Sequence, residues 1–202
     1  MKIDELISGI QAALGIQVDG KAGPETWGAI YEKIVKPPKA TIPSVVTIDS
    51  VDPRSEKAIA TLLPKVQPYA RSLVHKAAAA GITIKVLSSL RTYAEQDALY
   101  AQGRTTLGKK VTNAKGGHSN HNFGIAFEIG VFEGTKYLDD SPKYKTVGVL
   151  GVEIGLEWGG NWKSIVDQPH FQLRPNWAKS QTEKEMLAEL RTRKDDGEDY
   201  FA

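Results

Sequence analysis

A chain of 202 residues, 41% hydrophobic and 25% charged, has the composition of a soluble globular protein and is long enough for one medium domain plus a small appendage. Its formal charge of +2 is too small and too evenly spread to make nucleic acid a natural partner, and with no Cys it has no disulfide, thiolate metal site or Cys nucleophile. No run of 18 apolar residues occurs, and the opening Met1-Lys2-Ile3-Asp4-Glu5-Leu6 puts acids where a Sec signal would begin its apolar stretch, so neither a membrane span nor a Sec signal is expected.

Ile3, Leu6, Ile7, Ile10 and Leu14 fall at helical spacing before Gly15, Val18-Asp19-Gly20 reads as a turn, and Gly23-Pro24 opens a second helix with Trp27, Ile30, Tyr31 and Ile34 as its apolar stripe. Residues 1–36 therefore read as a helical hairpin. Its residues Ile10 to Gly15, Val18-Asp19-Gly20 and Gly23 to Trp27 resemble the peptidoglycan-binding domains attached to cell-wall hydrolases; a hairpin that merely packs on the main domain is the alternative. Three prolines within Pro37-Pro38-Lys39-Ala40-Thr41-Ile42-Pro43 make residues 37–44 a stiff linker, with the main domain over 45–178 and a C-terminal helix and tail over 179–202.

In the main domain, Ser55 to Leu63 reads as a helix stopped by Pro64. Val66, Tyr69, Ala70, Leu73, Val74 and Ala77 form the buried stripe of the next helix, with His75 on its solvated side. Ile82, Ile84 and Val86 alternate as a strand leading to Arg91 at a strand-to-helix corner, where a functional side chain and a structural ion pair are both reasonable. Thr92 and Glu95 form a capping box for a helix that stops at Gly103, and a polar loop runs to Gly117. Ile125, Phe127 and Ile129 then face one side of a strand, with Ala126, Glu128 and Gly130 on the other, so Glu128 stands between two small residues with open space expected above it. Gly155 to Trp162 reads as a helix end and aromatic loop, and Asp167 to Leu173 as a strand with His170 and Gln172 on one face. In the tail, Ser180 to Glu183 reads as a capping box, followed by a short helix with Met186, Leu187 and Leu190 and an end that frays.

The chemistry concentrates in Gly116 to Glu128 and Asp167 to His170. Two His and a carboxylate, with no Cys to close a fourth position, are a catalytic zinc set, and a further carboxylate at Asp167 is left free to act as a base.

Ser88-Ser89-Leu90-Arg91-Thr92, Gln96, Leu99 to Arg104, Ser119-Asn120-His121-Asn122-Phe123-Gly124, Leu156-Glu157-Trp158-Gly159-Gly160 and Asp167-Gln168-Pro169-His170-Phe171 together resemble the zinc L-alanyl-D-glutamate endopeptidases, relatives of the D-alanyl-D-alanine carboxypeptidases in the LAS metallopeptidase group. The resemblance runs from about Arg54 to Pro175. It implies an α+β fold with a small antiparallel sheet flanked by helices, and one zinc per chain on His121, Glu128 and His170, with His118 outside that set. It further implies Asp167 as general base and Arg91 near the substrate, with Ser119 and Gln96 in the matched motifs as substrate contacts. Tyr93, Trp158 and Trp162 are candidate groove walls, core packing being the alternative for each. The implied substrate is bacterial peptidoglycan, acted on by a monomer at the cell wall after holin-dependent release or dedicated secretion. A D-alanyl-D-alanine carboxypeptidase and a catalytically weakened wall-binding protein are the alternatives. Two positions depart from the family pattern. Glu128 stands where the family has Asp, from which Glu128→Asp is expected to raise turnover, and Asn161 replaces an Asp that can act as acceptor for a ligand His.

Overall fold

The computed structural model describes residues 2–30, 33, 50–163 and 165–202. The chain divides into two compact units, Met1–Val46 and Thr47–Ala202. The proline-rich segment 37–44, Tyr31, Ile34 and Val45 lie outside the described residues.

In the first unit, α1 (Ile3–Leu14) ends at Gly15 in the left-handed conformation that glycine adopts without a Cβ penalty, and α2 (Pro24–Ile30) starts on its proline. What joins them is a buried amide rather than an apolar stripe. Gln11, 2% exposed, donates through Nε2 to Asp19 Oδ1 (2.7 Å), Thr26 Oγ1 (2.9 Å) and the Lys21 carbonyl (3.1 Å), and its Oε1 accepts from the Asp19 and Gly20 amides. Trp27, expected on the packed stripe, is 60% exposed, and Ile3, Leu6 and Ile10 are exposed as well.

The second unit is built on one antiparallel sheet, with β1 (Thr83–Ser88), β2 (Ala126–Glu133), β5 (His170–Gln172) and β4 (Glu157–Trp158) side by side in that order, and β3 (Lys136–Leu138) pairing the far end of β2. Alternation along β2 sends Phe127, Ile129 and Val131 into a core shared with Val86, Phe171, Leu73 and Met186. Burying side chains of this size stabilises the fold by roughly 1.5–3 kcal/mol each. On the opposite face of β2, Glu128 lies across from Ser88 on β1 and His170 on β5. The space expected above Glu128 is closed on the Gly130 side, where a Cβ would come within 2.6 Å of Leu87 and 2.8 Å of Tyr137.

Helices cover the core side. α3 (Pro53–Ile59) is capped by Asp52 and stops short of Leu63, whose amide donates to the Gly124 carbonyl (3.0 Å) instead of continuing the helix. α4 (Gln67–Ala79) buries Ala70, Leu73 and Ala77 and leaves His75 exposed; α5 (Tyr93–Ala101) has the Thr92/Glu95 capping box. α6 (Lys143–Glu153), of which the sequence marked only the end, packs so closely that a Cβ on Gly148 would meet the Trp158 ring at 2.4 Å. α7 (Glu183–Asp196) is capped by Thr182 and Glu185, two residues later than expected, which frees the Glu183 carboxylate for other partners. The end after α7 folds back rather than frays: the Tyr200 carbonyl accepts from Trp177 Nε1 (2.9 Å), and Tyr200 and Phe201 pack on the core.

Candidate active site

Three separate local structures bring the ligand candidates together. Glu128 and His170 are strand neighbours, whereas His121 sits on a 3-10 helix, Asn120–Phe123, that Gly124 ends at φ 65°. That helix is pinned to the strand-to-helix corner, since the Arg91 amide donates to the His121 carbonyl (3.0 Å) and Asn122 Nδ2 donates to the Arg91 carbonyl (3.0 Å). His121 and Arg91 are therefore positioned by one another.

His121 Nε2 and His170 Nδ1 each lie 3.0 Å from Glu128 Oε1, and the three ligand atoms fall within 4.8 Å of one another. The opposite ring nitrogens are both committed. His121 Nδ1 donates to the Ser89 carbonyl (2.7 Å), which can only accept, and His170 Nε2 lies 2.9 Å from Gln172 Oε1, an acceptor in the amide orientation seen here. Two lone pairs and a carboxylate thus point at one spot. Acceptors so arranged repel unless a cation lies among them: a proton on His170 Nδ1 meets that need minimally, a divalent metal more fully. The donor set and the committed outer hydrogen bonds both fit a metal of the zinc type, which takes His nitrogen and carboxylate oxygen and whose His ligands donate their other N–H to an oxygen.

The titration behaviour follows the same contacts. Burial pushes the Glu128 carboxyl up, but its close contacts with the His121 and His170 rings outweigh burial and hold its pKa at about 2. Burial also lowers His121. For His170 the same burial is overcome by the Glu128 carboxylate beside it, so its pKa rises. Asp167 is raised, first by burial and then by the charge of Glu128, against the pull of His170 and Arg91. A carboxylate raised in this way is a better proton acceptor than an ordinary Asp.

These residues line a cleft of about 1040 Å³ whose walls include Arg91, Ser119, Trp162, Asp167 and His118. The Trp162 ring sits 4.7 Å from that of His170. Arg91 makes no salt bridge among the described residues; its guanidinium donates to Gln96 Oε1 (3.3 Å) and Ser88 Oγ (3.1 Å) and remains half-buried at the cleft. His118 is exposed and outside the ligand trio.

Three expected cleft residues lie elsewhere. Gln96 is fully buried and cannot touch substrate: it braces Arg91 and ties α5 to the loop through Ala114 and Thr112. Tyr93 packs edge-on to Phe123 under the Lys194 ammonium and against Gly117, away from the cleft. Trp158 belongs to the core, with Nε1 donating to the Gln168 carbonyl. Asn161 is exposed, and the outer acceptors for the two His rings are the Ser89 carbonyl and Gln172, so this departure from the family pattern removes neither. Glu157 is engaged by Gln172 and Arg174. Tyr100, Lys115, Lys163, Arg174 and Glu183 also line the cleft, a placement the sequence reading did not assign to them. Strand alternation does mark Gln172, which it puts beside His170.

Fold and site together define a class, an α+β domain with a His–Glu–His set that could hold one metal ion at the floor of a polar cleft. A family model described as D-alanyl-D-alanine carboxypeptidase matches residues 112–173. The peptidoglycan L-alanyl-D-glutamate endopeptidase CwlK of Bacillus subtilis (strain 168) is 35% identical over 127 residues, which is 57% of this chain and 75% of the relative. Among solved structures, the L-Ala D-Glu endopeptidase ChiX of Serratia marcescens aligns with TM-score 0.49 and 24% identity over 65% of this chain and 96% of that one. The D,D-pentapeptidase VanY of a VanB-type resistance cassette aligns with TM-score 0.45 and 17% identity over 64% of this chain and 83% of that one. The chain belongs to the family that unites L-alanyl-D-glutamate endopeptidases with D-alanyl-D-alanine carboxypeptidases, the LAS metallopeptidases. No helix among the described residues is long and apolar enough to cross a membrane.

Proposed function

We propose that the protein is a zinc peptidase that hydrolyses the stem peptide of bacterial peptidoglycan, at the bond between L-alanine and D-glutamate. The observation that carries this reading is the convergence of two imidazole lone pairs and the Glu128 carboxylate beside the raised carboxyl of Asp167. The choice of bond rests on the kinship with CwlK.

His121, Glu128 and His170 would hold the zinc, whose chemistry when bound is Lewis acidity: it polarises a carbonyl and brings the pKa of water towards about 7. Asp167 takes the proton from the attacking water and returns it to the leaving amine; its raised pKa suits both halves of that exchange. Arg91, braced by Gln96 and Ser88, offers guanidinium N–H groups to the oxyanion or to a substrate carboxylate. Trp162 flanks His170 and, with Ser119 on the opposite segment, shapes the approach to the bond. In this reading the first unit holds the enzyme on the insoluble wall, the working form is a monomer, and the enzyme reaches the wall by holin-dependent release or a dedicated secretion route.

Digestion of purified peptidoglycan with and without a chelator, followed by mass spectrometry of the muropeptides, tests the reading. New N-terminal D-glutamate that disappears with chelation supports it. Release of terminal D-alanine would make the protein a carboxypeptidase instead, and no cleavage would leave a wall-binding protein. Metal analysis adds a second check, in which His118→Ala retains near-stoichiometric zinc while His121→Ala loses it.

A further inference from the structure

The two ligand imidazoles are oriented by different means. His121 donates to a backbone carbonyl, Ser89, whose direction cannot be reversed. His170 donates to a side-chain amide, Gln172, which could in principle turn through 180° and present its NH₂ instead. A turned amide would force the hydrogen of His170 onto Nδ1, the atom that faces Glu128. We propose that Gln172 is a positioning residue locked by a closed hydrogen-bonded ring of Gln172, Glu157, Arg174, Glu183 and Asn120, and that this ring sets the tautomer of His170. The consequence for zinc rests on the function proposed above; the tautomer itself does not.

The direction of each bond in the ring is fixed by groups with no choice. Arg174 can only donate: its Nε reaches Glu157 Oε1 (2.5 Å) and a terminal NH₂ reaches Glu183 Oε2 (2.6 Å). The two carboxylates can only accept. Glu157 Oε2 takes a hydrogen from Gln172 Nε2 (2.7 Å), and Glu183 Oε1 takes one from Asn120 Nδ2. Asn120 Nδ2 also donates to Gln172 Oε1 (2.5 Å). Gln172 therefore has its nitrogen committed to Glu157 and its oxygen held towards Asn120, so the oxygen is what His170 Nε2 meets. An independent observation agrees. Asn120 Oδ1 is buried with no partner, which is the orientation expected when the demand for a donor on the Glu183 and Gln172 side decides how the amide sits. The ring draws on β4, β5, the segment after β5, the start of α7 and the 3-10 helix, and a tautomer lock that spans so many elements exists only in the folded chain.

The test reads the tautomer directly. In metal-free protein with ¹⁵N-labelled histidine, at a pH where the ring is neutral, His170 should carry its hydrogen mainly on Nε2, against the competing Glu128 carboxylate 3.0 Å from Nδ1. Gln172→Met, similar in volume but without the acceptor, should show a substantial Nδ1–H population, and zinc affinity measured by competition with a chelator should fall on the order of 10- to 100-fold. Gln172→Glu keeps an acceptor and should keep the Nε2–H form. If Gln172→Met does not fold by circular dichroism, Glu157→Gln decides, since its amide no longer compels Gln172 to donate: a mixed tautomer there supports the lock and an unmixed one overturns it. An unchanged tautomer and zinc affinity in a folded Gln172→Met protein would also overturn it. Failure of the parent to bind zinc would sink the metal reading alone, because the spectra still report the tautomer.

Discussion

Glu128 reaches both imidazoles at 3.0 Å from the central strand of the sheet, held there by pairing with β1 on one side and β5 on the other. The side chain is longer than the Asp implied by the family pattern, and the site is spaced to match it. An Asp would draw the carboxylate back by about one C–C bond, ~1.5 Å, and strands paired on both sides cannot follow. The geometry reverses the expectation drawn from the sequence. Glu128→Asp should weaken zinc binding and slow turnover, on the order of 10²-fold for a misplacement near 1 Å; a variant faster than the parent would show that Glu is a lesion. Asp167 carries a second prediction at this scale. It accepts a proton only when ionised, and burial, the larger cause, raises its pKa, so activity should fall as pH decreases and Asp167 takes up a proton. Asp167→Asn should keep the metal and the fold but lose roughly 10²- to 10⁴-fold in rate together with that acid limb. Retention of the limb in the variant would place the base elsewhere.

Elements whose pattern is periodic were legible: α1, α4, α5, β1 and β2 lie where spacing and capping residues put them, because a buried face leaves its period in the sequence. What could not be read was set by partners far along the chain. α3 ends early because Leu63 bonds to Gly124, and α7 starts on Thr182 although Ser180 offers the same pattern, because Glu183 is needed by Arg174 and Asn120. The short segment of β4 with the turn after it shows how such long-range contacts fix the site. Gly159 accepts from the Asp167 and Trp162 amides, and a Cβ there would lie 2.5 Å from the Asp167 carbonyl and 2.9 Å from His170 Cβ. Glycine at 159 is thus a close approach between the turn and the segment that carries both Asp167 and His170. Gly159→Ala should destabilise the protein by about 1–3 kcal/mol through overpacking and, because the displaced atoms belong to Asp167 and His170, lower zinc affinity and turnover as well. Urea denaturation beside chelator competition measures both; full zinc affinity in a destabilised variant would separate packing from site geometry.

At the scale of the molecule, the residues proposed as ligand trio and base stand out in the sequence because their chemistry needs particular residue types, whereas the choice between cleft wall and core for Gln96, Tyr93 and Trp158 turns on burial, a property of the whole fold. Gln96 supports Arg91 from beneath, and Trp158 fills the core against Gly148. The same distinction governs the first unit. Its described part is held by Gln11, a buried amide that answers five polar groups, and it leaves Trp27 and the Ile3, Leu6 and Ile10 side chains at the surface. The described walls of the cleft come from residues between Arg91 and Leu187. The core under the sheet is likewise made within the second unit. Chemistry and wall attachment should therefore separate on truncation. Removing residues 1–37 is expected to leave zinc content and cleavage of a small soluble muropeptide within about twofold of the full chain, since a site's rate is set by groups that contact the reacting atoms. Co-sedimentation with insoluble peptidoglycan should weaken, because two attachments on one chain raise avidity without any new contact and losing one removes that gain. Equal co-sedimentation by the truncated chain would reduce the hairpin to a packing element, and lost cleavage of the soluble substrate would show that the second unit needs the first to complete its site.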